Sequence, residues 1–462
     1  MALVGTCTEL CPAAEAAQRR ATGEVAACEG EVLVKRYTRP AAGLEPTPAD
    51  VRTLPTLLRA TAWCLGGGVA GNAALPLLAR YEFVADRLRA VRQDAAVQGA
   101  TSLPLLTALR AMLRFHAAAA YLFTGTQPVL DDAAAAAAAA GAPPRASAAA
   151  AFNAVLNDDR LADILDSGLA VAGRLARSSS GTPDGELAAM TDEFMAARIL
   201  LAAPDPAACA LVFRGMPAPL PPRSVAAYAI AAAWRAGNWH GAASRIAALP
   251  ARGDDAALTL RCLAHRLLPT CRLGLLQEFA AALPSRRPAL PLSFCVRVLC
   301  LGHSVMDGGG GGDHGSSSSS GSVGGSGSSS SDGGGGSGSG MAPWLHAARL
   351  ARGLGARIIL PAGALPPDAP PPLAAEFAAA PAPGGGDAEL TPLAALRLQA
   401  ALGPRNEHGH AAVGDALAVI FDAPTVPPSL RLAAVHTPER EDDAIAPNLW
   451  PNRILAALAV PV

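Results

Sequence analysis

Leu105, Leu109, Met112 and His116 follow one another at steps of 4, 3 and 4 residues. That spacing returns to one side of a 3.6-residue helix, so it predicts an amphipathic helix with the apolar side turned inward. Most of the chain from Leu54 to about Leu301 carries such patterns, and strand-like alternation is scarce there. Hydrophobic residues make up 51% of the 462 positions but aromatics only 4%, so much of the apolar surface is alanine. The length fits about three domains of roughly 150 residues, or one long helical array.

Turn chemistry marks helix pairs. Val225 to Ala236 is followed by Gly237-Asn238, suited to the left-handed residue that ends a helix, and then by Trp239 to Leu249. A second pair runs from Ala256 to Leu268, stops at Pro269, and resumes through Cys271 to Leu283. Stacked hairpins of this size predict a helical-repeat architecture, although no recurring consensus is present.

Beyond these pairs the composition changes. Residues 307–340 hold 16 glycines and 13 serines in 34 positions, too few apolar groups to offset the entropy of ordering, and predict a flexible insert. Residues 361–386 are rich in Pro, Ala and Gly. The tail from Asp387 combines a helical start at Leu393 to Leu402, a strand at Leu417 to Phe421 and an acidic patch at Glu439 to Asp443.

Net charge is −1, from 37 basic and 38 acidic residues, which excludes a wholly basic nucleic-acid coat and an acidic disordered chain. Lys35 is the only lysine. Charge segregates locally: Arg214 to Arg297 carries 11 arginines against three acids, while residues 384–462 carry five against nine. Arg223, Arg245, Arg261, Arg266, Arg272, Arg286, Arg287 and Arg297 are the candidate basic surface. Such a face would bind RNA with little sequence preference and a steep salt dependence, or else pair with an acidic protein.

Nine scattered cysteines and an N-terminus without a secretory pattern predict a reducing, intracellular setting, and no apolar run is long enough to span a bilayer. Cys7 and Cys11, with Cys28 further on, lack a nearby histidine to complete a four-ligand zinc site and read as turn thiols. Asn406-Glu-His-Gly-His410 reads as a solvated loop, and Gly353-Leu-Gly355 as a helix stop. There is no nucleophile elbow, phosphate loop or His-Glu-x-x-His, so neither an enzyme nor a cofactor is expected.

The most specific text is Tyr81 to Asp94, continuing to Gln98. On a helix Val84, Leu88, Val91 and Ala95 share one face; Arg87 and Asp94 lie on one flank, Asp86, Arg89 and Gln93 on another. Charges bordering an apolar stripe in this way predict hydrogen-bonded ion pairs to neighbouring elements more than a nucleic-acid or partner contact.

These residues, with Cys11-Pro12, Lys35 and Tyr37, Val51-Arg52, and the run Asp86, Arg87, Arg89, Arg92, Gln93, Asp94 and Gln98, resemble the Sac-three/GANP/Thp-three family. Weaker echoes follow at Arg114-Phe-His116, Asp192-Glu-Phe194 and Gly237-Asn-Trp239. The resemblance covers about residues 5–380, and short members of the family match best in layout. It implies a mainly α fold of PCI/TPR-like stacked helical hairpins ending in a winged helix. The expected divisions are an N-terminal motif segment 1–50, a helical scaffold 51–283, a winged helix 284–382 containing the insert, and an acidic extension 383–462.

Functionally, the resemblance implies a non-catalytic scaffold of a TREX-two-like mRNA export or processing complex. It would hold a PCI-domain protein of the Thp-one type, the small acidic Sem-one/DSS-one protein and RNA, in the nucleus, with the cytoplasm or centrosome as the alternative location; tethering at nuclear pores is not supported, since the sequence shows no Phe-Gly-rich segment. The alternative it implies is a centrosome or spindle protein with no nucleic-acid role. The motif residues from Cys11 to Gln98 would then serve as structural or partner contacts.

Overall fold

The computed structural model describes residues 3–39, 46–66, 69, 77–123, 152–178, 185–250, 255–282, 290–299, 357–360, 388–389, 398, 413 and 416–420. The Gly/Ser insert, the helix expected at 343–354, the loose segment 361–386, the acidic patch and the two histidines of 406–410 lie outside these residues. The described residues divide into two compact units at the Phe279–Ala280 junction, four residues before the boundary expected after 283.

The first unit is helical. After α1 (Ala13–Ala21) and a short 3-10 turn come α2 (Leu54–Leu65), α3 (Leu77–Val97), α4 (Leu103–Phe123), α5 (Ala154–Ser178), α6 (Gly185–Ala202), α7 (Pro206–Arg214), α8 (Pro222–Arg235), α9 (Trp239–Ala247), α10 (Asp255–His265) and α11 (Leu268–Ala282). Local chemistry sets several ends. Gly99 takes φ +59° after α3, and Ala100 N–H reaches back to the Ala95 carbonyl at 3.0 Å, closing the last turn. Asp205 Oδ1 accepts from the Ala207 and Ala208 amides at 2.8 and 3.2 Å, capping α7 with Pro206 as its first residue.

The hairpin read around Gly237-Asn238 is α8 and α9. Gly237 holds φ +71° and Asn238 Oδ1 accepts from Gly241 N–H at 2.9 Å. The second pair differs in one detail: Pro269 sits inside α11, and the break falls at Arg266–Leu267. A proline lacks only an N–H that the first helical turn leaves unbonded, so it opens the second helix as readily as it ends the first.

Neighbouring helices pack in sequence, α2 on α3, α4 on α5, α5 on α6, and α8 on α9; α10 returns onto α4 and α6. A strict repeat array contacts only its neighbours, so α10 adds a long-range closure. The apolar face of α4 is as read: Leu105, Leu109, Met112 and His116 are all at 2% exposure or less. One aromatic cluster centres on Tyr81, whose ring lies 5.2 to 5.9 Å from those of Phe115, His116, Phe123 and Phe152. Elsewhere close packing comes from small residues. Phe194, fully buried on α6, lies so tightly against Gly168 of α5 that a Cβ there would overlap its ring.

In the second unit β1 (Leu290–Pro291) leads into α12 (Leu292–Val298), and β2 (Arg357–Leu360), β3 (Ala388–Glu389) and β4 (Ala418–Ile420) complete a four-stranded antiparallel sheet of order β1-β4-β2-β3. The strand read at Leu417 to Phe421 is β4. It pairs with β2 through Ile358 and Val419, so the sheet unites strands from both sides of residue 383.

Candidate interaction site

The signature helix α3 is buried on two sides. Val84, Leu88, Val91 and Ala95 turn into the helical core, and Arg87 and Asp94 on the adjoining flank are also buried, at 5% and 1% exposure. What covers that flank is the N-terminal segment. Asp94 Oδ1 accepts from Lys35 Nζ at 2.7 Å and Oδ2 from Arg52 Nε at 2.8 Å. Lys35 Nζ also donates to the Asp50 carbonyl at 2.6 Å. One turn on, Gln98 Nε2 donates to the Arg52 carbonyl at 3.0 Å and its Oε1 accepts from Gly5 N–H at 3.0 Å. A buried carboxylate is tolerable only when paired and hydrogen-bonded, and here two cations and a backbone amide of Arg52 satisfy it.

A second buried carboxylate, Glu29, ties the same segment together. It pairs with Arg19 of α1, accepts from Val34 N–H at 3.1 Å and Ala26 N–H at 3.1 Å, and lies 3.3 Å from Arg87. Burial opposes its ionisation, but the Arg19 bond, the Val34 and Ala26 amides and Arg87 outweigh it and hold the carboxyl below its ordinary range. On the outer flank Tyr37 N–H donates to Asp86 Oδ2 at 3.3 Å, Arg89 stacks 3.5 Å over the Tyr37 ring, and Gln93 Nε2 donates to the Thr38 carbonyl at 3.1 Å. Arg92 reaches Asp163 of α5 at 2.5 Å. Cys11 is buried and Pro12 precedes α1, its carbonyl accepting from Ala16 N–H at 2.9 Å.

The Asp192-Glu-Phe194 run is a second hub. Asp192 accepts from Ser224 N–H at 2.9 Å, Ser224 Oγ at 2.7 Å and Arg223 N–H at 3.0 Å, capping α8 from another helix. Glu193 receives Arg114 at 2.9 and 3.1 Å and Arg110 at 2.9 Å, and Arg114 extends to Asp255 of α10 at 2.9 Å. His116 Nδ1 lies 2.8 Å from Asn157 Oδ1, which also accepts from Tyr81 Oη at 2.9 Å. Sequence reading did not single out Glu29, Arg52, Asn157 or Glu193 as site residues. Arg52 carries a signal as part of the Val51-Arg52 pair, whereas Glu29 lies in an aperiodic loop with none.

The eight candidate surface arginines separate. Arg261 and Arg272 are buried, at 4% and 3% exposure, with Arg261 Nη1 donating to the Leu249 carbonyl at 2.8 Å, so neither offers an accessible basic surface. Arg266 pairs with Asp158. Arg223 is half-buried and Arg245 exposed; Arg297 is exposed on α12 in the second unit. Arg286 and Arg287 lie outside the described residues. Arginine counting overlooked that guanidinium groups can be consumed by carbonyls and acids of the same chain.

Among the described residues no group of three or more His, Cys, Asp or Glu side chains could hold a metal, and no helix is long and apolar enough to cross a membrane. Cys7 is half-buried; the buried Cys11 thiol is pushed up to about 12, chiefly by burial. The charged groups at this site are paired within the chain, so their chemistry is that of fixed ion pairs.

The site is a helical module whose N-terminal segment is clamped onto α3 by buried ion pairs. Residues 10–139 match the SAC3/GANP family model, and 123 residues are 32% identical to SAC3 family protein 1 of Schizosaccharomyces pombe. That similarity covers 24% of this chain and 12% of the yeast protein, so the chain spans a small part of its relative's length. Over residues 10–139 the chain is thus similar to the SAC3/GANP family.

Proposed function

We propose that the chain is a non-catalytic scaffold subunit of a TREX-two-like mRNA export or processing complex in the nucleus. In this reading it holds a PCI-domain protein of the Thp-one type, with a small acidic Sem-one/DSS-one protein and RNA as further partners. Similarity to that family is consistent with an mRNA export-related role. The observation that carries the scaffold reading is an apolar surface on α7 and α8. Val225 and Tyr228, three apart on one face of α8, are 50% and 40% exposed, and the Tyr228 ring lies 4.7 Å from Phe213 of α7, where Leu211 is 68% exposed. Exposed aromatic and aliphatic side chains grouped in this way suit a protein interface. The antiparallel sheet with α12 supports a winged-helix reading of the second unit.

Affinity purification of the tagged chain with mass spectrometry tests the proposal. A co-purifying PCI-domain subunit, lost on Tyr228→Asp, is expected; a pull-down without one overturns it. Filter binding across a salt series tests the RNA part, for which affinity falling steeply with salt is expected and a flat response is contrary.

A further inference from the structure

Thr47 immediately precedes the three-residue turn Pro48–Asp50, which lies just before α2. It is exposed, its backbone is extended at φ −80° and ψ 160°, and among the described residues it is the one serine or threonine that a proline follows directly. Its Oγ1 donates to Asp50 Oδ2 at 2.6 Å, and its N–H donates to the same oxygen at 3.0 Å. The Thr47 hydroxyl, the Thr47 amide and then Lys35 hold the Asp50 carboxyl below its ordinary range, so it is ionised near pH 7. The turn is also an anchor of the N-terminal clamp. The Pro48 carbonyl accepts from Thr6 N–H at 2.9 Å, the Val51 carbonyl from Cys7 N–H at 3.1 Å, and the Asp50 carbonyl from Lys35 Nζ at 2.6 Å. Three carbonyls of one short stretch thus hold Thr6, Cys7 and Lys35 in place.

We propose that Thr47 is a phosphorylation site for a proline-directed serine/threonine kinase, and that the phosphate releases Thr6 and Cys7 from the turn. Such an enzyme needs a solvent-facing hydroxyl on extended backbone with proline next in line, and Pro48 itself biases Thr47 toward that conformation. In the transfer the Thr47 oxygen bonds to the γ-phosphorus of ATP, the bond from that phosphorus to the β-phosphate oxygen breaks, ADP leaves, and the hydroxyl proton passes to the catalytic carboxylate of the kinase. The product cannot keep the present geometry. The hydroxyl donor is gone, and a group of about two negative charges stands on an oxygen that was 2.6 Å from the Asp50 carboxylate. Pro48 has no N–H to receive the phosphate, and the Asp50 N–H is bonded to the Thr47 carbonyl at 3.0 Å. Lys35 is buried and shared between Asp94 and the Asp50 carbonyl. Repulsion therefore parts Asp50 from Thr47 and opens the turn, and the hold on Thr6 and Cys7 goes with it. The inference rests on the clamp and does not depend on the export-complex reading.

The test incubates the full folded chain with ATP and a purified mitogen-activated protein kinase and maps the product by mass spectrometry. Phosphate on Thr47 is expected. Hydrogen exchange at the Thr6 and Cys7 amides should then speed up by about tenfold or more, with amides inside α4 unchanged. Thr47→Ala, which removes the hydroxyl bond without adding charge, should speed them far less. In Asp50→Asn the carboxamide can donate to the phosphate, so phosphorylating this variant should accelerate the two amides less than phosphorylating the parent does. Should that variant not fold, the comparison of phosphorylated parent with Thr47→Ala decides. An unlabelled Thr47, exchange at Thr6 and Cys7 unmoved by the phosphate, acceleration in Thr47→Ala equal to that of the phosphorylated parent, or equal acceleration with Asp50 and Asn at that position, overturns the proposal.

Discussion

Arg52 Nε donates to Asp94 Oδ2 at 2.8 Å, and the two side chains are 0% and 2% exposed. The residues are 42 positions apart, and their bond, with that of Lys35 on the other oxygen, fastens the N-terminal segment to the signature helix. The only lysine in an arginine-dominated chain is spent here. Its compact ammonium reaches both the Asp94 carboxylate and the Asp50 carbonyl.

Removing that carboxylate strands two buried cations. Asp94→Ala should destabilise the protein by about 3–5 kcal/mol, measured by urea unfolding. Arg36→Ala, which breaks the exposed pair with Glu24 at 2.7 Å, should cost under about 1 kcal/mol. Equal losses would refute the distinction between buried and exposed pairs.

Gly168 exists to admit the Phe194 ring. Gly168→Ala should cost about 1–3 kcal/mol by overpacking. Combined with Phe194→Leu, the loss should be less than the two single changes added together, because the smaller side chain vacates the space the methyl needs. Strict additivity in thermal unfolding would contradict the contact.

Acid should weaken the fold in two stages. Burial lowers His116 from 6.5 to about 4 in the folded chain, so the unfolded state takes up a proton first. The stability contributed by neutral His116 is present above about pH 6.5 and is lost as pH falls toward 4, about 3 kcal/mol in all. Glu29, also held below its ordinary value, adds a loss below about pH 4.5. Unfolding free energies of the parent and His116→Gln, measured from pH 7.5 to 4, should diverge in slope through the upper part of that range. Parallel curves would show that His116 is not the titrating group.

Asp192 caps a helix from outside it. Asp192→Ala should lose about 1–2 kcal/mol and raise hydrogen exchange at the Arg223 and Ser224 amides, which the carboxylate now accepts. Unchanged protection at those amides would mean that the cap is not formed in solution.

Some of this was plain in the linear text. The 4-3-4 spacing of α4 and the Gly237-Asn238 turn are local signals, and both appear where they were read. The charged border of α3 was legible in kind, as ion pairing to neighbours. Its partners were not, because Lys35 lies 59 positions from Asp94 in a stretch that is neither helix nor strand and has no periodicity. The arginine count after position 214 suggested one basic surface, but Arg261 and Arg266 end against a carbonyl and a carboxylate.

The face of α4 and the turn between α8 and α9 followed from sequence alone because backbone hydrogen bonds, caps and the 3.6-residue repeat join residues a few positions apart. Which charges stay inside, which meet a partner and which are left wanting one was decided by the tertiary structure. Desolvation and Coulomb attraction depend on distance in space and on access to water, and neither is written in the order of residues.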